Sequence, residues 1–337
     1  MVRAAVAMGA DVNRRLDGAW PLMSYCAGRG CLEAVKVCLA AGAEVNAPGG
    51  SASGLSWWTA LVAAAYWGHE AVVEVLLEAG ASATVGENGD ETLPEVCGGC
   101  PTPGIVRRLV EAGADVNAHG DEGTAVSAAA RQGNVAVMEV LEELGADVTA
   151  DIFGDMSAMH FAADGEVVRW LAARGVSIHS DGSSNSPLHW MCEDGRGDAP
   201  RALLELGADV NQRDENGQTP LHKAVHAFQN AAGVTRLLLA AGADAKAVDR
   251  YGETPLHRVR DAACVDLLVD AGADLEARDE DGQTPICMAA SNDYMKPQVV
   301  LRMADLGADL VNTGGEAGLV MRWVEELRAQ RSRGQAI

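Results

Sequence analysis

A glycine that closes an apolar helical run recurs at Gly9, Gly42, Gly80, Gly113, Gly145, Gly175, Gly207, Gly242, Gly272 and Gly307, and nine of these ten are followed by Ala. The intervals between them are 33, 38, 33, 32, 30, 32, 35, 30 and 35 residues. A period in this range marks a stacked-repeat architecture. It is the strongest constraint on the fold, because one such unit is too small to sustain a core of its own. Each unit must be covered by its neighbours. The 337 residues therefore count repeats rather than separate globular domains.

The internal order of a unit is plainest from Asp214 to Asp244. Asp214-Glu-Asn-Gly217 is a turn sequence, rich in residues that tolerate left-handed backbone. Thr219 offers a hydroxyl cap, and Pro220 sits at the first helical position, where its missing N–H does no harm. Leu221, Ala224 and Val225 give a short first helix one apolar face; Val234, Leu237, Leu238 and Leu239 do the same for a second, which Gly242 ends. Apolar residues make up 48% of the chain and aromatics only 4%, so the core must be built from Ala, Val and Leu.

These residues resemble the ankyrin-repeat family, whose pattern is D-x-x-G-x-T-P-L-H-x-A-A followed by V-V-x-x-L-L-x-x-G-A. Thr219-Pro-Leu-His222 and Thr254-Pro-Leu-His257 match it, with changed copies at Thr284-Pro-Ile-Cys287 and Ser186-Pro-Leu-His189. Degenerate copies are Thr59-Ala-Leu-Val62, Thr124-Ala-Val-Ser127 and Ser157-Ala-Met-His160. The resemblance covers essentially the whole chain. It implies an all-α solenoid of helix-turn-helix units with hairpin-like turns, about nine full repeats long. Residues 1–13 then form an N-terminal half-repeat, 14–310 the repeats, and 311–337 a capping helix and tail. The last helix is expected over Glu316–Gln330, with Val320, Trp323, Val324 and Leu327 on its dry face.

Candidate chemistry is sparse. His160, His189, His222 and His257 all occupy the fourth motif position. The resemblance implies a structural imidazole there, bonded to the motif Thr or Ser and nearby backbone. Cys97-Gly-Gly-Cys100 is the sole C-x-x-C and lacks the second ligand pair of a tetrahedral zinc site. Gly98, Gly99, Pro101, Pro103 and Gly104 are expected to interrupt helix around it, as a hinge or as a rigid insertion. Cys26, Cys38, Cys192 and Cys264 read as small apolar core residues. No nucleophile-base motif, metal-binding H-E-x-x-H or phosphate-cradling loop is present, so no catalytic residue, metal ligand or cofactor is assigned. In ankyrin-like proteins the Asn after the Gly cap can be hydroxylated, and Asn117 and Asn211 match that setting best.

Function is thus expected to lie in recognition. A formal charge of −22 argues against nucleic-acid binding and favours a protein partner with a basic surface. No signal-peptide pattern or membrane-length apolar run is found, so a cytoplasmic or nuclear setting without membrane insertion is expected, and no small-molecule substrate. Ankyrin-like solenoids bind proteins through turn tips and the exposed side of the first helix. The residue after the motif His position runs Ala63, Glu95, Ala128, Phe161, Trp190, Lys223, Arg258 and Met288, with Tyr25 preceding if Met23 is the motif Leu. Phe161, Trp190, Lys223, Arg258 and Met288 are the expected contact stripe, because aromatic, Arg and Met side chains dominate interface cores. Trp57, Trp58, Phe153 and Tyr251 are expected tip contacts, the alternative for Trp57 or Trp58 being to fold back on Tyr66 and Trp67. The reading is a non-catalytic protein-interaction scaffold. Its alternatives are a structural linker of a larger assembly and the substrate-recruiting module of a multidomain enzyme such as a ubiquitin ligase or kinase.

Overall fold

The computed structural model describes residues 11–13, 15–16, 20–49, 58–84, 92–120, 123–152, 154, 156–179, 185–195, 198–227, 229–291, 297–310 and 317–333. The chain divides into two compact units, Met1–Val176 and Ser177–Ile337.

In the first unit the helices come in pairs: α1 (Leu22–Gly28) with α2 (Leu32–Ala40), α3 (Ala60–Tyr66) with α4 (Glu70–Glu78), α5 (Thr92–Cys97) with α6 (Pro103–Glu111), and α7 (Ala125–Gln132) with α8 (Val135–Glu143). The 3-10 helix η1 (Ala158–Phe161) precedes α9 (Gly165–Ala172). The second unit repeats the scheme with α10 (Pro187–Asp194) and α11 (Ala199–Glu205), α12 (Pro220–Ala224) and α13 (Ala231–Ala240), and the 3-10 helix η2 (Pro255–Arg258) and α14 (Ala262–Asp270). The pair α15 (Pro285–Ser291) and α16 (Pro297–Asp305) follows, and then α17 (Ala317–Ser332). Among the described residues this makes nine helical pairs and one terminal helix. Two antiparallel ladders of two residues per strand, β1 (Arg15–Leu16) with β2 (Trp20–Pro21) and β3 (His119–Gly120) with β4 (Gly123–Thr124), lead into α1 and α7.

Within each unit, first helices pack on first helices and second helices on second helices, giving two layers with the core between them. Leu61, Leu76, Leu93, Leu109 and Leu141 fill it in the first unit; Leu188, Leu203, Leu221, Leu238 and Leu268 fill it in the second. Hydroxyl caps of the kind expected at Thr219 occur at the degenerate motif copies, where Thr59 and Thr124 Oγ1 accept from the N–H groups of Val62 and Ser127 at 3.4 and 3.3 Å. Asp164 and Asp261 cap α9 and α14 in the same way.

Neighbouring units of the repeat are also tied by side chains. The Asn117 amide accepts from the Asp147 N–H at 2.7 Å and donates to the Gly145 carbonyl at 3.3 Å. Asn211 repeats this toward Asp244 and Gly242 at 2.8 and 3.2 Å, and Asn46 toward Ser82 and Gly80. The candidate hydroxylation sites therefore serve as inter-repeat rungs.

Two elements differ from the expected pair of α-helices. η1 and η2 lie in the two 30-residue intervals, where the first helix is about one turn short. After each the backbone becomes extended, at Ala162 and Val259. The next N–H groups then serve the neighbouring repeat: Ala163 donates to the Ala130 carbonyl at 3.0 Å and Arg260 to Val225 at 3.2 Å.

The Cys97–Gly104 segment also departs from expectation. Pro103 and Gly104 do not interrupt helix but open α6, with Pro103 at the start and Thr102 as its cap. Pro is tolerated there because that N–H has no partner in the helix. Cys100 N–H donates to the Tyr66 carbonyl at 2.7 Å, and a Cβ on Gly68 would meet the Cys100 carbonyl at 2.6 Å. The insertion is thus held tightly against the preceding repeat. At the far end, α17 packs on α15 and α16 with Val320, Val324 and Leu327 buried.

Candidate partner-binding surface

The fourth motif position supplies a fixed platform. His222 Nδ1 accepts from the Thr219 N–H at 3.1 Å and from its hydroxyl at 2.9 Å, while Nε2 lies 3.1 Å from the Glu253 carbonyl of the next repeat. A carbonyl only accepts, so Nε2 carries the proton and the ring is neutral. His257 does the same with Thr254 and the Gln283 carbonyl, and His189 with Ser186 and the Gln218 carbonyl. Burial pushes His222 down to about 4, and it lowers His189 and His257 as well. Each imidazole is a staple to the next repeat, and the following residue must project away from that buried ring.

In the first unit that column holds exposed Tyr25, buried Ala63 and Ala128, half-buried Glu95 and half-buried Phe161, whose ring lies 4.6 Å from the Arg131 guanidinium. In the second it holds Trp190, Lys223, Arg258 and Met288, all half-buried. Phe161 belongs to one unit and the other four stripe residues to the other.

Lys223 and Arg258 are engaged from below. Lys223 Nζ sits 3.2 Å from Asp214 Oδ2, and Arg258 reaches Glu253 at 2.8 Å and Asp249 at 3.6 Å. Those aspartates anchor the turns: Asp214 accepts from the Asn216 and Gln218 N–H groups at 2.8 Å, and Asp249 from Tyr251 and Glu253 at 2.9 and 3.0 Å. The carboxylates of Asp214 and Asp249 are 0% exposed, against 15% for Lys223 and 30% for Arg258. The pairs therefore present their positive member outward.

Among the tip residues, Tyr251 is exposed, with Arg250 stacked 4.7 Å from its ring. Trp58 is not a tip contact. It is 7% exposed, packs on Tyr66 at 4.7 Å and on Trp20 at 6.1 Å, and donates its indole N–H to Glu95 at 3.0 Å. In a chain so poor in rings, clustering them under the first repeats buries large apolar area. Trp57 and Phe153 lie outside the described residues.

Residues outside the motif column were missed. Trp67 follows α3, is exposed, and lies against Gly28 and the Tyr66 ring. His226 and Arg260 follow α12 and η2 and stand near Lys223 and Arg258. The sole signal for them was position just past a first helix.

Cys26, Cys38, Cys97, Cys192 and Cys264 are buried thiols held in the protonated form. Burial pushes Cys97 up to about 12 and Cys26 to about 11. Among the described residues no group of three or more His, Cys, Asp or Glu could hold a metal ion, and no helix is long and apolar enough to cross a membrane.

The family model for ankyrin repeats (3 copies) matches residues 1–86, 159–249 and 226–313. The chain belongs to the ankyrin-repeat family. Its all-α ankyrin solenoid architecture is a fold whose repeats are generally protein-interaction modules and typically non-catalytic. Similar curated proteins include an ankyrin repeat and KH domain-containing protein of Caenorhabditis briggsae, 34% identical over 163 residues, which are 47% of this chain and 6% of that protein. The E3 ubiquitin-protein ligase KEG of Arabidopsis thaliana is 35% identical over 128 residues, 36% of this chain and 8% of the ligase. The Drosophila melanogaster Neurogenic locus Notch protein is 38% identical over 74 residues, 21% of this chain and 3% of that protein. The ankyrin chain thus spans less than a tenth of the length of each of these relatives.

Proposed function

We propose that this ankyrin chain is a non-catalytic recognition module that binds a partner protein through the column after the motif histidines, with Trp190, Lys223, Arg258 and Met288 as its centre and Tyr251 at a tip. The observation that carries this reading is the stapled His platform. It holds three side chains of interface type, Trp190, Lys223 and Arg258, on successive repeats, and Met288 follows Cys287 at the same motif position, so little ordering is left to pay for when a partner binds. Phe161 holds the equivalent motif position in the first unit. The net charge of −22 steers partners with a basic surface at long range, in the cytosol or nucleus, and makes association weaken with salt.

A second reading is favoured by the ligase similarity: the chain recruits substrate for an enzyme whose catalytic part lies in another segment. Both readings require the same surface. Affinity capture with Trp190→Ala and Arg258→Glu tests it. Each variant is expected to lose partner capture, by about 2 kcal/mol or more for the Trp, with helix content unchanged by circular dichroism in Trp190→Ala; Arg258→Glu also takes the cation from the buried Asp249 carboxylate, so its loss counts only beside that of Trp190→Ala. Undiminished capture by both variants refutes the proposed surface.

A further inference from the structure

The first helical pair gathers three thiols: Cys26 in α1, Cys31 at the cap of α2 and Cys38 within α2. α1 ends in a Schellman turn. The Gly30 N–H bonds the Ala27 carbonyl at 3.0 Å, the Cys31 N–H bonds the Cys26 carbonyl at 2.9 Å, and Gly30 takes a left-handed φ of +66°. The second of those bonds fixes the two cysteines. With ordinary bond lengths on either side of it, their Cα atoms stand no more than about 7 Å apart, and a disulfide spans roughly 4–7 Å. In this motif the side chains at the same two places commonly touch. Cys26 is buried and Cys31 exposed, so the pair joins core to solvent. Other first helices that close in the same way carry Ala64 with His69 and Ala129 with Asn134 there, so the turn itself has no need of sulfur.

We propose that Cys31 and Cys26 form a thiol–disulfide exchange site, at which Cys31 captures a small-molecule disulfide of the glutathione type and Cys26 then closes an internal Cys26–Cys31 bond. In the first step the Cys31 thiolate attacks one sulfur of glutathione disulfide, forming a mixed disulfide and releasing one glutathione thiolate. In the second, the Cys26 thiolate attacks the Cys31 sulfur and releases the other. Two protein thiols are oxidised, one small disulfide is reduced to two thiols, and the two protons lost by the protein go to the leaving thiolates. Burial, then Cys38 and Cys31, push Cys26 up to about 11. Its thiolate is scarce at neutral pH, so closure is the slow step and quickens as pH rises. The same property makes Cys26 a poor leaving group, so a reductant that attacks the exposed Cys31 opens the bond slowly. Cys38 is 0% exposed and out of reach of a dissolved disulfide. The bond would clamp the junction of two repeats, because the Gly28 carbonyl accepts from His69 Nε2 at 3.1 Å and a Cβ on Gly30 would meet the His69 ring at 2.7 Å.

The test incubates the full chain with glutathione disulfide, quenches it with an alkylating reagent, and maps the digested cysteines by mass spectrometry. Wild type is expected to end with Cys26 and Cys31 joined and two hydrogens lighter. Cys26→Ser is expected to stop at a glutathione adduct on Cys31, Cys31→Ser to leave Cys26 unmodified, and Cys38→Ala to close as wild type does. Cys26 and Cys31 are also near in sequence, so closure of the wild-type chain is titrated against glutathione and its disulfide both in buffer and in urea. The equilibrium constant for closure is expected to be at least about tenfold larger in the folded chain, where the turn holds the two sulfurs together. An adduct on Cys31 that never closes, a Cys26–Cys38 bond in its place, or equal constants in the folded and unfolded chain overturns the proposal.

Discussion

At the residue scale the histidines carry the most information. His222 bridges two repeats only while neutral, because a proton on Nδ1 would face the Thr219 N–H, one donor against another. Its folded value of about 4 lies below the ordinary 6.5, so between these the unfolded chain binds a proton that the folded chain refuses. Stability of the second unit therefore rises with pH across that window, and on acidification falls from about pH 6.5 and levels off for this group below about 4. The contribution reaches about 3 kcal/mol for His222; His189, His257 and His226 act in the same direction. Urea unfolding of the chain at a series of pH values checks this. The midpoint is expected to drop steadily from neutral pH toward pH 4.5 and to drop less in His222→Gln. A midpoint indifferent to pH over that span would show that the rings are not held neutral.

Element by element, what could be read in advance was what glycine, proline and threonine announce. The Gly closing each second helix, the Thr caps and the Pro openings placed most helical pairs, since each acts on its own backbone within one turn. The 3-10 helices escaped that reading even though the 30-residue intervals held the clue, because their shape depends on N–H groups satisfied by another repeat. The same holds for the site. The column after the motif His was legible, but the pairing of Lys223 and Arg258 with buried turn carboxylates was not, and Trp58 was misjudged because its burial depends on Trp20 and Tyr66. Two glycines separate local from long-range demand. Gly242 has φ +92° with nothing within 4 Å of a would-be Cβ, whereas Gly68 has φ +74° and the Cys100 carbonyl 2.6 Å from it. Gly242→Ala is expected to lose about 1 kcal/mol from left-handed strain alone, and Gly68→Ala clearly more, because the Cys100 carbonyl must move. Equal urea midpoints for the two variants would count against a tightly seated Cys97–Gly104 segment.

On the scale of the whole molecule, repeats that contact only their neighbours make stability a local sum, so damage at an end should fade with distance along the stack. The second unit offers a clean place to observe this. Val324 in α17 is fully buried where that helix covers α15 and α16. Val324→Asp would bury a carboxylate among apolar neighbours at several kcal/mol, which α17 relieves by lifting away. Its removal uncovers α15 and α16, whose own burial stabilises η2 and α14 in turn. Native-state hydrogen exchange followed by mass spectrometry is expected to show protection falling most in α15 and α16, less in α14, and little in α10 and α11. A uniform fall from α10 through α16 would mean that the unit opens as a single cooperative block, and the nearest-neighbour picture of its core would have to be abandoned.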